Sequence, residues 1–106
     1  MKRIAIRIGS EERTAGTATM EWIRSSLEAE AAEGSNRLQV IIDTVDGQRI
    51  AVGCGGGREV QWGRPELRRA VHECWNAHNL CDGNATAERL VAFFKSLEQL
   101  EEWRTA

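Results

Sequence analysis

The chain has no tyrosine, a single proline and no apolar run long enough to cross a membrane as a helix. That last absence excludes a transmembrane helix, which needs about 18 or more nearly uninterrupted apolar residues. The opening MKRIAIRIGSEER has the positive residues of a signal peptide but returns to charge at Arg7, so it lacks an apolar h-region. No excess of positive charge is present either: the net charge is −2, which leaves no overall basic field to recruit nucleic acid or an anionic membrane. Cysteines number three, an odd count that argues against a complete disulfide framework and for free thiols in a reducing compartment. A cytoplasmic location is therefore expected, and there the sequon Asn84-Ala85-Thr86 carries no meaning. The sequence contains no CxxC pair, no GxxxxGK[ST] and no GxGxxG. It carries no family signature.

What is there reads as one ordinary domain over residues 1–106, with 42% hydrophobic and 28% charged residues and enough length to bury a core without staples. Alternation is clean. Ile4, Ile6 and Ile8 share one face, and the pattern returns at Leu38, Val40 and Ile42, at Ile50 and Val52, and at Val60 and Trp62. Period-two alternation predicts half-buried strands near 2–8, 37–44, 48–54 and 58–62. The opposite sheet face, with Arg3, Arg7, Gln39, Asp43, Arg49, Glu59 and Gln61, is expected to be wet. Between the second and third strands a two-residue Asp46-Gly47 turn would pair Asp43 with Ile50 and mix the faces. A three-residue loop, Val45-Asp46-Gly47, pairs Ile42 with Ile50 instead and puts Gly47 in the left-handed position.

Helical spacing predicts three helices. The first runs from about Thr17 to Glu33, with Met20, Ile23, Leu27 and Ala31 inward and Gly34 as the residue after the cap. The second starts at Pro65 and turns Leu67, Val71, Cys74, Trp75 and His78 inward. The third runs from about Ala85 to Trp103, capped by Asn84 or Thr86, with Leu90, Phe94, Leu97 and Leu100 as its stripe. The segments 9–17 and 54–57 read as loops. The order β-α-β-β-β-α-α, with one-sided strands, predicts an α+β two-layer sandwich: a four-stranded mixed or antiparallel sheet with three helices on one face.

Candidate chemistry concentrates in HECWNAHNLC, residues 72–81. Cys74 and His78 have the i, i+4 spacing of two helical ligands, while His72 points away. Cys81 lies about 10.5 Å along an unbroken helix from Cys74, too far for both thiolates to reach one zinc. The site closes only if the helix ends near Asn79, with Cys54 or Asp82 supplying a fourth ligand. The simpler reading makes Cys74 and Cys81 small apolar residues of a packed helix end, with no cofactor. Cys54 in GCGGG lacks a following helix and has core parity, so no catalytic residue is assigned. Arg58, Arg64, Arg68 and Arg69 form a basic cluster, but the third helix, with Glu88, Glu98, Glu101 and Glu102 against Arg89, Lys95 and Arg104, repels phosphate and disfavours nucleic acid.

Trp22 and Trp103 fit their helices' stripes poorly, so either Trp22 or Trp103 stands exposed or each caps one end of the core. Large aromatics off a core stripe are common at interfaces. Trp22, Trp103, Arg64, Arg68 and Arg69 are thus the candidate interface. Two functions follow: a non-enzymatic module that binds a protein partner or a second copy of itself, of the accessory, inhibitor or immunity kind, or a small-molecule or zinc-binding domain built on the Cys54, Cys74, His78, Cys81 corner.

Overall fold

The computed structural model describes residues 3–54, 65–81 and 83–104, with the side chain of Cys54 not included. In chain order the elements are β1 (Arg3–Ile8), β2 (Glu11–Thr14), α1 (Met20–Ala32), β3 (Leu38–Asp43), β4 (Arg49–Cys54), α2 (Pro65–Ala77), α3 (Ala87–Gln99) and α4 (Glu101–Arg104). The four strands form one sheet in the order β2-β1-β3-β4, every pair antiparallel. This is the α+β class expected from the alternation. The strand expected at 58–62 lies outside the described residues.

Register follows the apolar pattern. Ile4 pairs with Ile42 and Ile6 with Val40 across β1 and β3, and Ile42 pairs with Ile50 across β3 and β4. Directly paired residues share a face, so these isoleucines and valines make one continuous inner surface. Thr44 donates its amide to Gln48 O and Gly47 closes the turn at φ +82°. The three-residue loop is therefore the one that forms, because it alone keeps the apolar sides in register.

One segment departs from expectation. Residues 11–14, read as loop, form strand β2, joined to β1 by the two-residue turn Gly9-Ser10 with Gly9 at φ +64°. Glycine in the first turn position at positive φ is the type II′ pattern that suits hairpin twist. EERT shows no apolar alternation because β2 is an edge strand. Arg13, paired with Ile6 on the inner face, lays its guanidinium over the Trp22 ring, 4.8 Å from its centroid. A basic side chain does the covering that an apolar one would do elsewhere.

Helix α1 packs on β1, α2 packs on β4, and α3 packs against α1 and α2. Thr19 caps α1 by accepting from Trp22 N. The helix ends as a Schellman turn, with Gly34 at φ +72° and Ser35 N bonded to Glu30 O. The expected inner stripe of α1 forms at Ile23, which is buried, and at Met20 and Leu27, which pack against the core, but Ala31 is exposed and Glu30, at 7% exposed, turns inward in its place. Glu30 turns inward because Arg37 meets it there, donating from its backbone N, from Nε at 3.2 Å and from Nη2 at 3.0 Å.

Arg37's hydrogen bond, then that of Ser35, holds the Glu30 carboxyl below the ordinary carboxylate range against the opposing effect of burial. A carboxyl with a depressed folded pKa contributes stability that is fully present above its unfolded pKa of about 4.3 and is lost as pH falls through the lower folded value. Asp43, held down by Arg49, acts with the same sign. Urea midpoints measured from pH 7 to pH 2 should therefore fall on the acid side. Glu30→Gln should be less stable than wild type at pH 7, and the two should converge toward pH 2. Equal acid sensitivity of the two proteins would show that the pair contributes nothing.

Helix α3 also differs from the expected single helix. It starts at its Thr86 cap and stops at Leu100, whose backbone is extended at ψ 132°, and α4 then folds Trp103 back. Phe93 rather than Phe94 is fully buried, with Leu90 and Leu97; Phe94 and Leu100 are half-buried. The outer sheet face carries Arg3, Arg7, Gln39, Asp43 and Arg49 at exposed or half-buried positions, with ion pairs Arg7–Glu12 and Arg49–Asp43. Glu59 and Gln61 lie outside the described residues. No helix among the described residues is long and apolar enough to cross a membrane.

Candidate functional site: a cysteine–histidine corner and an apolar cleft

Helix α2 ends at Ala77, and Asn79 adopts the left-handed conformation at φ 50°. The helix break that a metal corner requires is therefore present. The chain does fold back, but it brings Cys81 to a different neighbour: the Trp75 indole donates to Cys81 Sγ at 3.2 Å. His78 Nδ1 donates to the Cys74 carbonyl at 2.8 Å and lies 3.9 Å from Cys74 Sγ. Its Nε2 is 3.2 Å from Ser96 Oγ on α3. A carbonyl can only accept, so Nδ1 carries the proton and, in the neutral ring, Nε2 accepts from Ser96.

Burial pushes the Cys74 thiol up, away from the thiolate that a metal needs, and that thiol is 4.0 Å from the Phe93 carbonyl. Among the described residues no three His, Cys, Asp or Glu side chains converge as a metal site. The Cys54 side chain and Asp82 lie outside the described residues. Untagged protein purified under reducing conditions should carry well under one zinc per chain and should melt identically with and without chelator. Cys74→Ala should cost about 1 kcal/mol, the loss of a small buried group. Near-stoichiometric zinc with a large chelator effect would establish the metal corner, because metal binding free energy is then folding free energy.

The Ser96–His78 contact was invisible in the sequence, since one partner lies just past the end of α2 and the other on α3. A serine bonded to a histidine that a carbonyl orients is two-thirds of a nucleophilic relay. Ser96, however, sits within α3, where the neighbouring N–H groups are committed to the helix and none is left to hold an oxyanion. The contact ties the turn after α2 to α3.

The expectation that Trp22 or Trp103 stands exposed is corrected in favour of the core-capping alternative. They are 9% and 8% exposed and belong to the core cluster. Trp22 is roofed by Arg13, and Trp103 is carried inward by the bend at Leu100. Neither cover has a local sequence signal, because each is supplied by a turn of the chain. Arg69 is exposed and Arg68 half-buried on α2, while Arg58 and Arg64 lie outside the described residues.

An opening absent from the expectations lies between α1 and the connection from α2 to α3. A cleft of about 240 Å³ is floored by Leu27, Ala31, Leu38, Leu80 and Ala85, with Glu28, Glu30, Ser35 and Asn36 also in its wall. A second, of about 210 Å³, continues along α1 to Arg24 and the start of α3 at Thr86–Glu88. Leu27, Glu28 and Ala85 border both. Arg24, Leu27, Glu28 and Ala31 share one side of α1 by helical spacing, so the two clefts form one path along it. The Arg24–Glu88 ion pair bridges α1 and α3 at one end, and Glu30–Arg37 stands at the other. No protein-family model matches this chain, and no curated protein or solved structure matches it.

Proposed function

We propose that this protein is a non-enzymatic interaction module, of the accessory, inhibitor or immunity kind, that seats an apolar part of a protein partner in the cleft along α1. The observation that carries the reading is the cleft itself. Half-buried Leu27 and Ala85 and exposed Ala31 line it above the buried Leu38 and Leu80, in a molecule whose large apolar side chains, among the described residues, are mostly buried. A concave apolar site rimmed by polar groups is where a partner's anchor side chains lose most water on docking. A second copy of the chain is one candidate partner.

The test is site-specific photo-crosslinking in the source cell with benzoylphenylalanine at Ala31 and, as control, at Glu98. A discrete adduct from Ala31 and none from Glu98 is expected, and an adduct at twice the chain mass would identify the partner as a second copy. Absence of any discrete adduct from Ala31 would refute the reading. Duplex DNA is not the expected ligand. Arg24 is paired with Glu88, and Arg89 donates to the carbonyls of Asn79 and Asn84, so neither is committed to phosphate. Fluorescence anisotropy at physiological salt should give a Kd no tighter than micromolar; a nanomolar complex with a steep salt slope would reverse this.

A further inference from the structure

Three acidic residues of α1 and α3 border the cleft, and their charges are not equivalent. Glu30 is held by Arg37, and Glu88 is held by Arg24. Glu28 is exposed and makes no ion pair among the described residues. It also stands where the two clefts meet. The path from Arg24 to Ala31 is about 10.5 Å long at the helical rise. A single small amine would fill one cleft and leave the other empty, whereas a chain segment can place one apolar side chain in each.

Resting on the interaction-module reading above, we propose that the cleft receives a protein segment with two apolar anchor side chains and a lysine or arginine between them, the cation meeting Glu28. The apolar floor supplies affinity, and Glu28 selects the sign of the charge beside the anchors. The pairing is exposed, so its effect on affinity is modest and weakens with salt. Charge of this kind decides which segments dock and in which direction more than how tightly they dock.

The experiment titrates the isotopically labelled protein with three probes and follows backbone amide shifts. One probe is a capped peptide with two leucines four residues apart and lysines between them. Another is its twin with glutamate in place of each lysine. The last is 2-phenylethylammonium. The basic peptide is expected to shift the amides of Leu27, Ala31, Leu80 and Ala85. It should bind roughly two- to fivefold tighter than its acidic twin at low salt, the range of an exposed ion pair. Glu28→Gln should erase that preference and Glu28→Lys should reverse it, both without loss of fold, since the side chain is exposed. Equal or tighter binding of the acidic twin, or a preference unchanged in Glu28→Lys, overturns the charge inference and leaves the cleft reading standing. If neither peptide shifts the cleft amides, the interaction-module reading falls and this inference falls with it. Binding of 2-phenylethylammonium as tight as that of the basic peptide overturns the assignment to a protein segment in favour of a small amine.

Discussion

Phe93→Ala should lower the unfolding free energy by about 3–5 kcal/mol, the range seen when a buried aromatic is truncated and its site cannot collapse. Phe93 is fully buried and sits at the junction of three rings. It meets Trp75 edge-on with centroids 5.4 Å apart, His78 at 6.0 Å and Phe94 at 5.5 Å. These neighbours lie on α2, in the turn just after it and on α3 itself, so deletion opens a void at the helix–helix contact. Urea unfolding should show a lower midpoint with an unchanged slope. Phe94→Ala, at a half-buried position, should cost clearly less. If Phe94→Ala proved the more costly, the inner stripe of α3 would be the one expected from spacing alone, and the packing described above would be wrong.

Gly53→Ala should destabilise the protein by about 1–3 kcal/mol, through crowding between strands rather than through loss of any contact. A methyl group at position 53 would overlap the Leu38 carbonyl oxygen and stand 3.0 Å from Gln39 Cα. Both are backbone atoms of β3, an interior strand paired on both sides, so neither can swing away. Gly34→Ala is the control. At φ +72° it meets backbone strain, but its added methyl faces open space, so it should cost about 1 kcal/mol. Hydrogen exchange should separate them further: Gly53→Ala should speed exchange along the β3–β4 ladder, and Gly34→Ala only at the end of α1. Matching effects from the two variants would mean that β3 and β4 can part locally without penalty.

The sheet was legible because strand alternation is a local property. Ile4 to Ile8, Leu38 to Ile42 and Ile50 to Val52 each declare a face, and one register satisfies all three. Local chemistry also announces helix ends, as at Thr86 and Gly34. Strand β2 was missed for the complementary reason. EERT has no apolar face of its own, and only the Gly9-Ser10 turn hinted that the chain doubles back.

The candidate site was far less legible. Whether Trp22 is buried depends on Arg13, nine residues earlier and on another element; whether Trp103 is buried depends on an extended residue at Leu100. His78, just past the end of α2, finds Ser96 on α3, and the cleft exists only because Leu27, Leu38 and the Leu80–Ala85 connection come from three separate parts of the chain. Period and capping are set by each residue's own neighbours in sequence, which is why the α+β class, the sheet register and most element boundaries could be read from the residues in order. Burial of a side chain off the main stripe, the partner of a buried carboxylate such as Glu30, and the presence of a groove depend on which distant segments pack against one another. Those contacts form only when the helices close over the sheet, and they open the cleft along α1 and bury both Trp22 and Trp103.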